Sequence, residues 1–433
     1  MGVGVVFLLA VPLMGCQGSG DEAPVARAAP LTSEPSVAPD ASGIEHVVLV
    51  MMENRSFDHL IGWVDGADGR QAGLKFPDRN GQLKKTHSLA PDFQGCAHPD
   101  PDHSFSGARV EYDSGRCDGW LRAGSNDDFS IGYYQKRDLA FWGAAAPHWT
   151  VLDRYFAGIM SETYPNRIYQ HAAQTDRLTN TLDISTLPTI WDRLAEGGIE
   201  GRYYFSDAPF LALWGTKYLP ISRPIASFLI DAQTGNLPQV AFVDPRFIDE
   251  GIGTSGDDHP HADIRNGEAF LNLVYGAIAR SPQWAHTVLI INYDEWGGFF
   301  DHVPPPVAPI PSADAAAGNT DGRLGFRTAA MIVAPWAQAA TVSHLQFDHT
   351  SVLRLIEWRW GLSPLTVRDA TAGNLAAALD FSQPRAKAPT FDVPAGPFGT
   401  PCAPLASPAA PAAPAEADLG ALLGVARAAG WPL

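Results

Sequence analysis

Two acidic clusters carry the first chemical signal. Glu53-Asn54-Arg55-Ser56-Phe57-Asp58-His59 follows the apolar run His46-Val47-Val48-Leu49-Val50-Met51-Met52. Asp294-Glu295-Trp296-Gly297-Gly298-Phe299-Phe300-Asp301-His302 follows a second run that begins Thr287-Val288-Leu289-Ile290-Ile291. Ligands in open α/β sheets bind beyond the carboxyl ends of the strands. Carboxylates placed there, from remote parts of the chain, are suited to converge on one cation. Hard divalent cations take oxygen ligands, and Zn or Mn also accepts mixed oxygen and nitrogen sets. One strand-end acid is commonplace. Two, each followed by an Asp-His pair, make a more specific pattern.

A third element, Ser161-Glu162-Thr163-Tyr164-Pro165-Asn166-Arg167, offers a hydroxyl, an amide and a guanidinium within five residues. Arginine is suited to bidentate phosphate contact. The same residues also read as a helix start, because Thr and Asn cap helices and Pro165 suits a first turn. Both readings can hold, since amides at a helix N-terminus stabilise anions. Asp257-Asp258-His259-Pro260-His261 precedes a helical stretch, and Phe347-Asp348-His349-Thr350-Ser351 opens another. Each reads either as a cap or as the carrier of a reactive histidine.

Elements able to position these groups are legible around them. Gln239-Val240-Ala241-Phe242-Val243 and Ala329-Ala330-Met331-Ile332-Val333 join the two apolar runs above as buried strands. Helical spacing links Phe270, Val274, Ala277 and Ile278 within 266–280, and Val352, Leu355 and Ile356 within 349–360. Strands alternating with helices imply a largely parallel sheet covered on both faces. Residues 65–130 are dense in Asp, Gly, His and Ser and read as a long insertion with little regular structure. Its aromatic residues and those beside it, Trp120, Phe129, Tyr133, Tyr134, Phe141, Trp142 and Trp149, read either as a wall able to face a quaternary ammonium group or as core packing.

Bulk properties narrow the partners. The 433 residues hold 45% hydrophobic side chains, enough for a sizeable core, and a net charge of −17. That charge repels polyphosphate backbones and argues against a nucleic-acid partner, so none is expected. It also argues against tight docking on anionic lipid through a basic patch. The apolar run Val3–Met14 is too short to span a bilayer and has the length of a signal-peptide core. Leu13-Met14-Gly15-Cys16 resembles a bacterial lipobox, so Cys16 is a candidate lipid anchor, although no Lys or Arg precedes the run. The expected organisation is a leader over 1–16, a flexible tether over 17–43, a catalytic domain over 44–382 and a Pro/Ala-rich tail over 383–433. No later segment reads as transmembrane, and the chain is expected to be exported to the cell envelope or secreted. Cys96 and Cys117 share one loop-like stretch and could close a local disulfide, leaving Cys402 as the odd thiol.

Taken in order, IEHVVLVMMENRSFDHLIG, ETYPNRIYQHA, DDHPHADIRNGEAFLNLVYGAIARSPQW, TVLIINYDEWGGFFDHVPPP and the weaker FDHTSVLRLIEWRWG resemble the bacterial phospholipase C/acid phosphatase phosphoesterase family, which includes plant non-specific phospholipases C. The resemblance covers roughly 44–382. It implies an alkaline-phosphatase-like, three-layer α/β/α fold and a metal-dependent phosphoric-ester hydrolase. Carried over residue by residue, it implies Glu53, Asn54, Asp294 and Glu295 as ligands to one divalent ion (Ca, Zn or Mn) and Thr163 as covalent nucleophile. It implies His259, His302 and His349 as active-site histidines, with Asn166, Arg167 and His261 near the substrate. The substrate class it implies is a phospholipid or a small phosphoester. A phosphomonoesterase of the same family and a non-catalytic, lipid-tethered envelope binding protein are the competing readings. The sequence lacks the twin-arginine pair that many relatives carry and the large C-terminal extension of some haemolytic ones.

Overall fold

A computed structural model describes residues 34–403 and 419–433, together with the first two residues. Val3–Met14, Cys16 and most of the expected tether lie outside the described residues.

Eight strands form the central sheet: β1 (His46–Met52), β2 (Thr150–Leu152), β3 (Gly201–Phe205), β4 (Ser222–Pro224), β5 (Val240–Val243), β6 (Thr287–Tyr293), β7 (Met331–Val333) and β8 (Thr341–Ser343). Their spatial order is β8-β2-β7-β6-β1-β5-β3-β4. β6, β1, β5, β3 and β4 run parallel, and β7 is antiparallel to both its neighbours. The short β2, β3, β4 and β8 carry weak patterns and were not expected from the sequence. Every residue of β1 and β6 is buried, as expected for strands covered on two faces.

The cover comes from two packed groups of helices. One holds α1 (Ala140–Ala145), α4 (Ile225–Thr234) and α5 (Ile264–Ala279); the other holds α2 (Thr163–Ala172), α3 (Ile190–Glu196), α6 (His349–Trp360) and α7 (Val367–Thr371). The fold is thus α/β with a mixed, mostly parallel sheet. α6 starts with a reciprocal cap between Asp348 and Ser351 and ends at Gly361 in the left-handed region (φ 66°).

A second, smaller core lies beside the sheet. Phe76, Trp120, Ile131, Met160, Trp296, Phe300 and Phe326 belong to it. It supports residues 65–130, which hold a two-stranded hairpin (Lys75–Pro77 with Leu83–Lys85) and the helix Phe105–Tyr112. Arg327 ties this region to the sheet. Its guanidinium pairs with Asp301 at 2.9 Å and Asp58 at 3.2 Å, and donates to the Asp68 carbonyl at 2.8 Å.

All seven aromatics offered as a substrate wall are buried: Trp120, Phe129, Tyr133, Tyr134, Phe141, Trp142 and Trp149 pack in the two cores. Burial of roughly 150–250 Å² per ring outweighs any advantage of exposing them, so the wall reading is corrected to core packing.

The cysteine pairing is also corrected. Cys96 bonds Cys402, 306 residues away, and Cys117 is a free, buried thiol. Residues 384–403 run without helix or strand across the 92–96 and 252–266 loops, which brings the late cysteine to the early one. Sequence proximity could not show this path. Beyond it, Leu422–Ala428 forms a helix whose Leu422 and Ala426, with Trp431, pack in the main core.

Non-reducing peptide mapping should therefore recover Cys96 joined to Cys402, and a Cys96–Cys117 peptide would overturn the pairing. Cys402→Ser should lower the unfolding free energy by about 2–4 kcal/mol in urea titrations.

Candidate active site

The site follows from strand register. β1 and β6 are parallel and in step, with Met52 opposite Tyr293. Their next residues, Glu53 and Asp294, therefore leave the sheet side by side. The Asp294 amide donates to Met52 O at 3.1 Å, and the Asn54 amide donates to Asp294 Oδ1 at 3.0 Å. Asn54 holds a left-handed backbone (φ 56°). Gly297 is needed beside it, because a Cβ there would lie 2.1 Å from the Asn54 carbonyl oxygen.

Thr163 is the first residue of α2 and approaches this pair. Its Oγ1 lies 3.3 Å from Glu53 Oε2 and 3.4 Å from Asn54 Oδ1. The turn before it is held by Asn166. That side chain accepts from the Ile159 amide at 3.0 Å and donates to the Ser161 and Glu162 carbonyls at 2.6 and 3.0 Å. Arg167, one turn along the helix, is 2% exposed. It donates to Glu53 Oε1 at 2.6 Å, lies 3.4 Å from Asp294 Oδ2 and donates to Asp244 Oδ1 at 3.3 Å. Asn166 and Arg167 are therefore spent on protein groups, and hold the site rather than line it.

Glu295 follows Asp294 and extends this group towards His103. Its Oε2 accepts from the Gly297 amide at 2.7 Å, and its carboxyl feels the charges of His103, Asp294 and Asp100. Asp100, His103 and His259 offer ligand atoms within 4.8 Å of one another, the spacing a metal ion requires. His259 Nδ1 is engaged with Pro260 O at 2.9 Å, while Nε2 faces Asp100 at 3.7 Å. The His259 loop is tied to the first cluster, because Asp257 O accepts from the Glu53 amide at 2.8 Å. His261 (φ 81°) faces the opposite way, with Nε2 on His98 O at 2.9 Å. His103 and Asp100 were not singled out from the sequence. Their only signal was the Asp-Pro-Asp-His string inside the polar insertion.

The other two expected histidines have separate surroundings. His349 is buried; its Nε2 donates to the Asp294 carbonyl at 2.6 Å, and Tyr155 OH lies 3.2 Å from Nδ1. Burial pushes it down to about 4, so it stays neutral and braces the Asp294 backbone. His302 is bracketed by Asp58 at 2.5 Å and Asp68 at 3.1 Å. Burial opposes its charge, but the bonds and charges of Asp58 and Asp301 raise it. Asp58, Asp301 and His302 also show metal-like spacing, yet Arg327 already supplies that cluster with its cation.

Charge is unbalanced at the first cluster. Burial pushes Glu53, Asp294 and Glu295 above the ordinary carboxylate range, with Arg167 countering it at Glu53 and Asp294. Asp294 Oδ2, Glu295 Oε1 and Asn54 Nδ2 are buried without a hydrogen-bond partner among the described residues. Buried carboxylates in excess of cations, with orphaned oxygens, fit a divalent ion.

A buried hydroxyl at a helix N-terminus thus stands beside strand-end carboxylates at the carboxyl edge of an α/β sheet. The chain belongs to the Phosphoesterase family, whose profile matches residues 44–363. It is a phosphoric-ester hydrolase of the phospholipase C type. It is 32% identical to non-specific phospholipase C1 of Arabidopsis thaliana over 76% of this chain and 70% of that protein. It is 27% identical to phospholipase C A of Mycobacterium tuberculosis over 79% of this chain and 78% of that one. Likeness to solved structures is distant. A protein in the alkaline phosphatase superfamily from Vibrio parahaemolyticus matches 80% of this chain and 75% of that chain at 9% identity, with a TM-score of 0.36.

The sign of the pH dependence follows from the raised carboxyls. Below their raised values the fold keeps protons that an unfolded chain would release, so the metal-free protein should lose stability as pH rises through them. A divalent ion must displace those protons. Calorimetric titration with Mn, Ca or Zn should thus show affinity rising with pH, with proton release, and a flat profile would remove the buried carboxyls from the ion site.

Proposed function

We propose that the chain is an exported phospholipase C that cleaves a phospholipid phosphodiester through a phosphothreonine at Thr163. The observation that carries the reading is the Thr163 hydroxyl lying within 3.3 Å of the Glu53 carboxylate at the N-terminus of a buried helix. A divalent ion held by Glu53, Asn54, Asp294 and Glu295 would polarise a phosphoryl oxygen and lower the pKa of the hydroxyl.

The chain's own groups account for the remaining movements. Thr163 Oγ1 gives its proton towards Glu53 Oε2 and bonds to phosphorus as the bond to the diacylglycerol oxygen breaks. His259 Nε2, beside Asp100, protonates that leaving oxygen. On the return step His259 takes a proton from water, whose oxygen displaces Thr163 from phosphorus; Glu53 Oε2 gives its proton back to Thr163 Oγ1, and the phosphorylated headgroup is released. The α2 N-terminal amides favour the transferring phosphoryl group. Asn166, Arg167 and His349 fix the position of Thr163, Glu53 and Asp294.

Export belongs to the same proposal. A disulfide across 306 residues suits an oxidising compartment, and no helix of the described residues is long and apolar enough to cross a membrane. Anchoring through Cys16 rests on the lipobox-like string alone.

Thr163→Ala should lower turnover by on the order of 10⁴-fold or more while keeping bound metal, and near-normal activity would remove Thr163 from this role. Nitrophenyl phosphorylcholine should be cleaved faster than nitrophenyl phosphate. The reverse order would identify a phosphomonoesterase, and turnover of neither, with metal bound, a binding protein.

A further inference from the structure

The chain is acidic overall, but one projecting element is not. Residues 70–87 hold Arg70, Lys75, Arg79, Lys84 and Lys85 against Asp78 alone. Lys75, Lys84 and Lys85 stand on the hairpin Lys75–Pro77/Leu83–Lys85. Lys75 pairs across the strands with Lys85, Phe76 with Lys84, and Pro77 with Leu83. Directly opposed residues share a face, so Phe76 and Lys84 lie on the inner face and Lys75, Lys85 and Leu83 point out. Phe76 is buried against Phe300, with ring centres 5.8 Å apart. Leu83 is 63% exposed.

This outer face opposes the interest of the fold. Like charges placed directly across two strands are destabilising, and an exposed leucine at a hairpin end adds nothing to the core. No acid lies within ion-pair distance of Lys75, Lys84 or Lys85 among the described residues, although acids outnumber bases by 47 to 30. Arg79 differs, because its guanidinium donates to the Ala123 and Gly124 carbonyls and fixes the hairpin tip. The hairpin is also mounted close to the site. Phe76 shares its small core with Trp296, which follows Glu295, and with Met160, three residues before Thr163.

We propose that this hairpin docks the enzyme on an anionic lipid surface, with Lys75 and Lys85 at the headgroups and Leu83 at the acyl boundary. The inference rests on the phospholipid reading above for its purpose, not for its chemistry. The net charge of −17 argues against such docking for the molecule as a whole, but not for every local surface. At physiological ionic strength charges are screened beyond about 8 Å, so remote carboxylates are not felt where the exposed hairpin meets the lipid. An anionic polymer such as RNA would match the lysines but would leave Leu83 without a partner.

The test is co-sedimentation of the full chain with vesicles of phosphatidylcholine, alone or mixed with phosphatidylglycerol, at low and high salt. The wild type should bind the mixed vesicles far better, and salt should release it. Each lysine near an anionic surface contributes about fivefold, so Lys75→Gln/Lys85→Gln should weaken partitioning on the order of 25-fold. Turnover of soluble nitrophenyl phosphorylcholine should stay unchanged in that variant. Leu83→Ser and Lys85→Gln alone should each show a smaller loss, which keeps the test open if the double variant misfolds. Equal wild-type binding to both vesicle types, unchanged binding of all three variants, or lysine-dependent capture of an oligonucleotide without vesicle binding would overturn the proposal. Lysine-dependent vesicle binding by a wild type inactive on the soluble diester would uphold docking and sink the catalytic reading.

Discussion

A single buried guanidinium holds the site together. Arg167 reaches Glu53 after β1, Asp294 after β6 and Asp244 after β5, and it also donates to the Met51 and Met52 carbonyls. Three neighbouring parallel strands therefore end on one cation. Burial disfavours the charged guanidinium, but Glu53, Asp294 and Asp244 more than reverse this. Arginine suits the position because its planar fork keeps its charge and can address several acceptors at once. It also stands one helical turn from Thr163. The interaction that gathers the acids thus sets the reach of the hydroxyl.

One guanidinium does not neutralise the acids gathered there. The remaining charge and the orphaned oxygens of Asp294 and Glu295 define what the site lacks on its own. The contrast with the Asp58–Asp301–His302 cluster is instructive. Those groups have metal-like spacing too, but Arg327 contacts both carboxylates and their lone pairs are filled by Asp58, Arg70, His302 and Val303 amides. One cluster is an ion-pair lock between the sheet and the insertion. The other retains unsatisfied acceptors. Richness in acids does not separate the two; the count of filled acceptors does.

Support for the site is spread widely along the chain. His349 braces Asp294 from α6, Asn166 staples the turn before Thr163, and Asp257 anchors the His259 loop to Glu53. The disulfided strap reaches the same loop, since Gln94 bonds the carbonyls of Gly253, His261 and Thr400. The 65–130 region supplies Asp100 and His103 on one side and the lysine hairpin on another. A segment poor in regular structure is thereby fixed by two cores and by buried ion pairs.

Long apolar runs are legible in the amino-acid sequence, because burial of both sheet faces imposes a continuous pattern: β1, β5 and β6, with α5 and α6, fall where their residues predict. The acids and the threonine are legible too, because strand ends and helix starts are local features. Partnership is not. Cys96 meeting Cys402, Asp100 and His103 meeting His259, and Arg167 binding carboxylates rather than phosphate each depend on contacts between residues far apart in the chain. Composition averages the hairpin's lysines into a net negative total, whereas folding sets Lys75 and Lys85 side by side on one exposed face. Local pattern determines an element from its own residues; only packing decides which remote side chain uses up a donor or leaves it open.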